Sequence, residues 1–557
     1  MNIINDEQIQ ELEKILLKKE YERVEKIIEK LNKESFDNPA VKIIYANSKS
    51  LKPSSSFQDK KIAFDIFINI YKKNNHFKGA LHNACVLCFE IREYNEILNI
   101  LEKFVYKKEY DKKIYEALYK AYLILGDIEK SVIILRKTLK FEPGNLKAWS
   151  ALLRNINYLE NYTQEEYIGL AKKFSENIII YDDIKKINQP LVSSEKIKLG
   201  FMTPYFTGNA IDGFLEGFIK NIDKNIFEVV AFNLNISNLK SDHLKPLFND
   251  WYHVHSLNDF DLINFIKSKN INIFIDLVGH WPGNRISVLK NRVAPIQISW
   301  LGYCNSTGLE EVDYIIADHN LIKKSEKNLY SEKILYLENI WNSHQAISDD
   351  VTTNDMPYYK NKYFTFGSFN NFSKISKSVI EVWSEILRET DSKLILKSSA
   401  NNSENFRNIF LKKFPKKITN KNQIILLESK NNKSEHLKIY NQIDLALDPF
   451  PYNGVTTSFE AISMGVPVLT LKGKNFISRC GESININLGL NDFISNNKSD
   501  YVRKAINFSR NPKDLRELRK NLRIKSKNSA LFNTRDFTYD FSIKLKKIWE
   551  EKINKNN

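Results

Sequence analysis

Residues 444–471 read DLALDPFPYNGVTTSFEAISMGVPVLTL. Asp444–Leu447 and Val466–Leu471 are short apolar runs of strand type. Between them a Pro/Asn/Gly turn gives way to helical spacing near Thr456. The stretch is therefore a strand–loop–helix–strand unit, the kind that links parallel strands. Thr456 and Thr457 fall at the helix N-terminus, where free backbone N–H groups, hydroxyls and the positive end of the helix dipole bind an anion. Glu460, one turn on, can accept hydrogen bonds from vicinal sugar hydroxyls, and Asn453 and Gly454 in the turn complete the candidate site. An isolated Thr-Thr-x-x-Glu would be an ordinary helix cap; the preceding loop favours a ligand.

Similar units extend to both sides. Upstream, apolar runs at Lys196–Met202, Phe227–Asn235, Ile271–Val278, Pro295–Leu301, Val312–Ala317 and Lys333–Leu337 alternate with amphipathic helices. A second series comprises Tyr363–Ser368, Lys393–Lys397, Gln423–Leu427 and the two runs quoted above. Continuous apolar strands between helices indicate parallel sheets covered on both faces, so two doubly wound domains are expected, with the ligand cleft at the carboxyl ends of their strands. Ser343–Lys362, polar and rich in Asp and Asn, supplies the hinge. No Gly-rich dinucleotide fingerprint or P-loop is present, which argues against dehydrogenases and P-loop NTPases.

Before residue 175 the pattern is apolar at i, i+3, i+4 and i+7, interrupted by only Pro39, Pro53 and Pro143. At an offset of 34, Leu81 aligns with Tyr115, Ala84 with Leu118, Cys88 with Tyr122, Tyr94 with Ile128 and Leu101 with Leu135, the tetratricopeptide period. Each helix pair buries one face, so stacked copies share a core and leave a groove suited to peptides or protein partners. Cys85 and Cys88 form a CxxC on a helix, with neither a second pair nor His ligands at metal spacing, and read as core. The expected division is 1–175 helical repeats, 176–195 linker, 196–345 first sheet domain, 346–362 hinge, 363–535 second sheet domain and 536–557 C-terminal helix.

Composition supports folded domains: 557 residues, 42% hydrophobic, with only 18 Gly and 14 Pro. Cys85, Cys88, Cys304 and Cys480 are too few for a disulfide framework. The N-terminus, MNIINDEQIQELEKILLKKEYERV, lacks an apolar signal core and no apolar run near 18 residues follows, so a cytoplasmic chain, neither secreted nor transmembrane, is expected. The net charge of +16 comes from lysines spread over helices, often near Glu or Asp, which describes solvated helix faces rather than a nucleic-acid footprint.

The quoted loop resembles the donor-binding loop of the protein O-GlcNAc transferases and their SPINDLY-like relatives, glycosyltransferase family 41. Further blocks resemble that family: Arg292–Tyr303 (RVAPIQISWLGY) with Ser306-Thr307-Gly308, Val312–Asp318, FNNFSKI at 369–375, Ser434-Glu435-His436, Gly465–Leu471, Ser478-Arg479 and Leu531–Thr534. The resemblance implies a GT-B architecture and a metal-independent, inverting transfer from a nucleotide sugar, UDP-GlcNAc first among donors, to Ser or Thr of a protein held mainly by the repeats and the first sheet domain. The nucleotide sugar is a co-substrate, and no cofactor is implied.

By the same resemblance Lys374 faces the donor diphosphate, where its cation offsets charge developing on the leaving group. Asn371 lies beside the nucleotide, Lys433 and His436 near the diphosphate and nucleoside, Thr456, Thr457 and Glu460 at the diphosphate and ribose, and Arg479 near the following helix. His280, after Gly279, corresponds to a position near the sugar. The chain also departs from the pattern. Asn209 replaces a family His and cannot act as a base, leaving Asp212, three residues on, as a candidate to orient acceptor or donor sugar. Trp281 replaces a Thr, and Val455 a Gly or His. Readings left open are another donor or acceptor on the same fold (GDP-fucose to protein, hexose to Asn, a surface glycan) and a nucleotide-binding scaffold. The amphipathic segment Phe537–Ile553 suits packing on the first sheet domain or a contact between two copies.

Overall fold

A computed structural model describes residues 4–106, 109–182, 196–208, 210–236, 243–345, 351–419, 422–430 and 432–556. Most of the linker 176–195, the first residues of the hinge 346–362 and Asn209 lie outside the described residues. The chain forms two compact units, Met1–Phe141 with Ser399–Lys412, and Glu142–Ser398 with Lys413–Asn557.

The first unit is helical. Its helix pairs Lys78–Ile91/Tyr94–Tyr106 and Lys112–Ile124/Ile128–Phe141 are copies at the 34-residue offset, and every residue aligned by the sequence period is buried. The left-handed turn inside each copy falls at Arg92 (φ 61°) and Gly126 (φ 74°), again 34 apart; glycine adopts it freely, arginine under strain. Glu404–Leu411, an excursion from the second half of the chain, belongs to this unit and sets Phe406 edge-on to Tyr94, ring centroids 6.3 Å apart.

The second unit holds two parallel sheets. Strands β1 (Ile197–Thr203), β2 (Phe227–Asn233), β3 (Asp250–His253), β4 (Ile273–Asp276), β5 (Ile296–Ser299), β6 (Tyr314–Ala317) and β7 (Lys333–Tyr336) are ordered β3-β2-β1-β4-β5-β6-β7. Strands β8 (Thr365–Ser368), β9 (Lys393–Ser398), β10 (Ile424–Glu428), β11 (Leu445–Leu447), β12 (Val468–Leu471) and β13 (Ile494–Ser495) are ordered β10-β9-β8-β11-β12-β13. Strand order reverses between β1 and β4 and between β8 and β11, so the crevices of both sheets open at the carboxyl ends of those strands. The C-terminal helix, Thr534–Asn556, lays Phe541, Leu545 and Trp549 into the core of the first sheet with Leu199, Phe218 and Trp300, which selects the first of the two packings its amphipathic pattern allowed. Among the described residues no helix is long and apolar enough to cross a membrane.

The last two helices of the 1–175 segment, Leu146–Ile156 and Gln164–Glu176, belong to the second unit. Polar bonds knit them to the loop after β5: Asn157 Nδ2 donates to Tyr303 Oη (3.0 Å), Tyr167 Oη and Tyr303 Oη are 2.8 Å apart, and Gln164 Nε2 donates to Asn305 Oδ1 (2.7 Å).

A clamp joins the sheets beyond β12. Arg479, 5% exposed, donates to both carboxylate oxygens of Glu326 (2.6 and 2.8 Å) and to the carbonyls of Leu321 and Gly473. Ser483 Oγ reaches Asp318 Oδ2 at 2.7 Å in parallel. Removing one partner strands the other charge. Glu326→Ala is expected to cost about 2 kcal/mol, below the fully buried case because Glu326 touches water, and chemical denaturation of both proteins measures it.

Candidate functional site

A cleft of about 630 Å³ opens where the fold predicts it. The loop after β1 contributes Tyr205, the loop after β5 Gly302 and Cys304, the loop after β8 Asn371 and Lys374, and the loop after β11 Tyr452, Thr456 and Thr457.

The β11 loop is built around Asp448. This buried carboxylate ends the strand, accepting from Gly454 N (2.6 Å) on Oδ1 and from Thr470 Oγ1 (2.8 Å) on Oδ2. Burial pushes Asp448 up to about 7 against those bonds and the nearby Lys374 charge. Asn453 is wholly buried, with Nδ2 donating to Pro449 O at 3.1 Å. The loop delivers the chain to helix Thr456–Ser463 without a side-chain cap, so its leading N–H groups stay available to a ligand.

Lys374 ends the short turn Phe372–Lys374, capped by Asn371, which is itself exposed. The Lys374 Nζ donates to Asn453 O (2.8 Å) and Asn370 Oδ1 (3.2 Å), and Asn370 Oδ1 also accepts from Thr457 Oγ1 (3.0 Å). Its ammonium stands 4.6 Å above the Tyr452 ring, which stacks on Tyr158 with centroids 4.6 Å apart. Desolvation lowers the Lys374 pKa to about 8, opposed by Asp448.

Beside the cleft, Glu460 accepts from His436 Nε2 (3.0 Å) and Tyr440 Oη (2.9 Å). Burial alone would raise its pKa; the His436 bond and charge, Tyr440 and the Lys397 charge hold it below the usual carboxylate value. Lys397, 2% exposed at the end of β9, touches His436 Nδ1. Desolvation lowers Lys397 to about 8. Lys433, in the first turn of Lys433–Lys438, is exposed.

Three candidates from sequence stand elsewhere. His280 is 0% exposed: Nε2 donates to Thr307 O (3.0 Å), Nδ1 accepts from Ser150 Oγ (3.1 Å), and burial lowers its pKa to about 4. It is a neutral structural group behind the cleft, and its neighbour Trp281 faces in. Asp212, 4% exposed, accepts from Gly208 N at 2.5 Å and holds the loop after β1. Arg479 is consumed by the clamp to Glu326. The sequence reading passed over Lys397, Asp448, Tyr452 and Tyr158. Only Asp448 carried a local sign, an acid at a strand end six residues ahead of Gly454.

Gly454 is fixed by space. A Cβ there would lie 2.6 Å from Thr457 Oγ1 and 3.0 Å from Asp448 Oδ1 and Ser458 Oγ. Gly454→Ala is therefore expected to displace the loop and lower stability by about 2 kcal/mol, roughly the loss of one net hydrogen bond to a charged group, with the far-ultraviolet spectrum unchanged; chemical denaturation checks it.

The chain resembles known proteins in sequence and in fold. The chain is 26% identical over 421 residues to the probable UDP-N-acetylglucosamine–peptide N-acetylglucosaminyltransferase SPINDLY of Solanum lycopersicum, covering 74% of this chain and 45% of that protein. For the Arabidopsis thaliana SPINDLY the identity is 25% over 428 residues, covering 74% and 46%. The chain thus spans about half the length of these curated relatives. A solved mutant of the Thermobaculum terrenum O-GlcNAc transferase shares the fold, with a TM-score of 0.81 at 23% identity over 93% of this chain and 99% of that one. The family profile matches residues 176–354 and 343–541, and the chain belongs to Glycosyl transferase family 41.

Proposed function

We propose that the chain transfers a sugar, GlcNAc from UDP-GlcNAc in the first instance, to Ser or Thr hydroxyls of protein acceptors bound along the helical repeats, in the cytoplasm. The observation that carries this reading is the placement of Lys374, a desolvated cation at the cleft floor sharing Asn370 with Thr457 at the start of helix Thr456–Ser463. An ammonium and a helix N-terminus facing one space suit a diphosphate. The acceptor hydroxyl forms a bond to the anomeric carbon as the bond to the diphosphate breaks, and its proton passes to the departing diphosphate or to water. The electron pair leaves on the phosphate oxygen that Lys374 and the helix N–H groups face, and attack opposite the leaving group inverts the centre. The protein groups supply the charge stabilisation that this reading calls metal-independent. Glu460, held ionised by His436 and Tyr440, is suited to the ribose hydroxyls. The names of the relatives supply the choice of UDP-GlcNAc and of a peptide acceptor.

A panel of UDP- and GDP-sugars, read by calorimetry and by product release with a protein extract, tests the reading; donor binding without transfer to any extract would turn it towards a nucleotide-binding scaffold. Lys374→Ala is expected to lower transfer by about 10²–10³-fold with folding intact, the size typical of one preorganised charge-stabilising donor. Unchanged transfer would remove Lys374 from the site.

The pH dependence follows from the lowered pKa. The protonated amine binds the diphosphate, so affinity persists below about 8 and falls above it. Asp448, which gains its charge near 7, favours the protonated amine and is already counted in that value. UDP-sugar affinity is expected to drop about tenfold between roughly pH 7 and 9, as the charged fraction of Lys374 does, and titration at the two pH values measures it.

A further inference from the structure

Residues 354–361 of the hinge wall a second cavity of about 760 Å³, against about 630 Å³ for the cleft. Thr365, Asn441 and Gln442 also line it, so it lies at the amino ends of β8 and β11, whereas the cleft opens at the carboxyl ends of the same strands. Its floor is one face of the second sheet. Ile395 pairs with Ile425 of β10 and with Gly367 of β8, two residues beyond Thr365, so Thr365, Ile395 and Ile425 point to the same side. Thr365 is 2% exposed, and among the described residues its Oγ1 has no hydrogen-bond partner. A buried hydroxyl is seldom left in that state; one that lines a cavity is satisfied by what fills it.

The walls are fixed before any ligand arrives. Asp444 takes Thr365 N on one carboxylate oxygen (2.7 Å) and Tyr358 N on the other (2.9 Å). Asn354 donates through N to Asn441 Oδ1 (3.2 Å) and through Nδ2 to Asn441 O (3.0 Å). Arg516 Nε donates to Asp355 Oδ1 at 3.0 Å, and its guanidinium lies 4.2 Å from the centre of the Tyr359 ring, while the Lys393 ammonium lies 4.3 Å from that of Tyr363. Both tyrosines line the cavity, each oriented by a cation over its ring.

The lining selects the chemistry. Its charged side chains, Asp355 and Lys360, are of opposite sign and Asp355 is already paired with Arg516, so nothing there gathers a phosphate. Asn361, Asn441 and Gln442 carry amides, each with donors and an acceptor, beside the unpartnered Thr365 hydroxyl; the tyrosine rings and the isoleucine floor are apolar. A sugar ring presents the matching mixture, hydroxyls that donate and accept around its rim and C–H groups on its faces. We propose that this cavity binds a short neutral oligosaccharide, with Thr365 Oγ1 hydrogen-bonded to a sugar hydroxyl and Tyr359 and Tyr363 against ring faces. The volume falls within the range of small-molecule sites and exceeds that of the cleft. Binding here is non-covalent, and the site stands apart from the transferase reading.

The test uses the full chain and saturation-transfer NMR, with cellobiose, maltotriose and N,N′-diacetylchitobiose as probes, each read with and without excess UDP. At least one probe is expected to receive saturation and to titrate to a single site that UDP does not displace. Thr365→Val keeps the branched shape and removes the hydroxyl. It is expected to weaken that probe about three- to tenfold, the size of one net hydrogen bond, while the free chain stays as stable in chemical denaturation, because the hydroxyl removed had no protein partner. Tyr363→Ala is expected to weaken the probe about tenfold through the lost ring face. UDP affinity is expected to be unchanged in both variants. Saturation of no probe, displacement by UDP, unchanged probe affinity in either variant, or a free chain destabilised by Thr365→Val would each overturn the proposal. A chain that binds a probe but not UDP would count against the transferase reading alone.

Discussion

The cleft depends on one desolvated carboxylate. Asp448 is taken out of water at the end of β11 and recovers part of that cost from the Gly454 amide and the Thr470 hydroxyl. An asparagine of the same shape could fold the loop, but it would not act on Lys374. Burial strips the ammonium of hydration, and the largest opposing influence is the Asp448 charge. The carboxylate thus shapes the turn that presents Asn453 O to Lys374 and helps keep that lysine a cation at neutral pH. Loop geometry and site electrostatics are the same interaction viewed from two atoms.

Around this centre the protein separates fixed from available groups. His280 has its ring nitrogens committed to Thr307 and Ser150, Asp212 one carboxylate oxygen to Gly208, and Arg479 its guanidinium to Glu326. The helix at Thr456 begins uncapped, and Asn371 is exposed at the cleft. Committed groups hold distances, whereas the leading N–H groups of an uncapped helix are open to an anion. At Glu460 one carboxylate oxygen gathers both His436 and Tyr440.

The sequence made most of the fold legible because a parallel sheet buried on both faces demands continuous apolar runs, and eleven such runs coincide with strands. The two strands it missed show the limit. β3, Asp250–His253, is an edge strand with no fully buried residue, and β13 is only Ile494–Ser495, so neither carries an apolar signature. The site was half legible for a related reason. Thr456, Thr457, Asn371 and Lys374 sit in a helix start and a short turn whose residue order encodes their geometry. Sequence order does not say whether a polar side chain lines the cleft or is buried away from it, which is what separates Lys374 from His280 and Arg479. Nor does it bring Tyr158 beneath Tyr452, or Lys397 against His436, since those pairs meet only in three dimensions.

The stack of Tyr158 on Tyr452 also sets where this protein can be divided. The family profile begins at residue 176, after both repeat helices of the second unit. A fragment cut there would keep both sheets and every cleft residue, yet Tyr452 would lose the ring beneath it, Tyr303 its Asn157 and Tyr167 partners, and His280 its Ser150 hydroxyl. The natural seam lies at Glu142, where the second unit starts. The last two helices are inherited with the sheets as one piece, whereas the excursion Ser399–Lys412 goes with the repeats ahead of that seam.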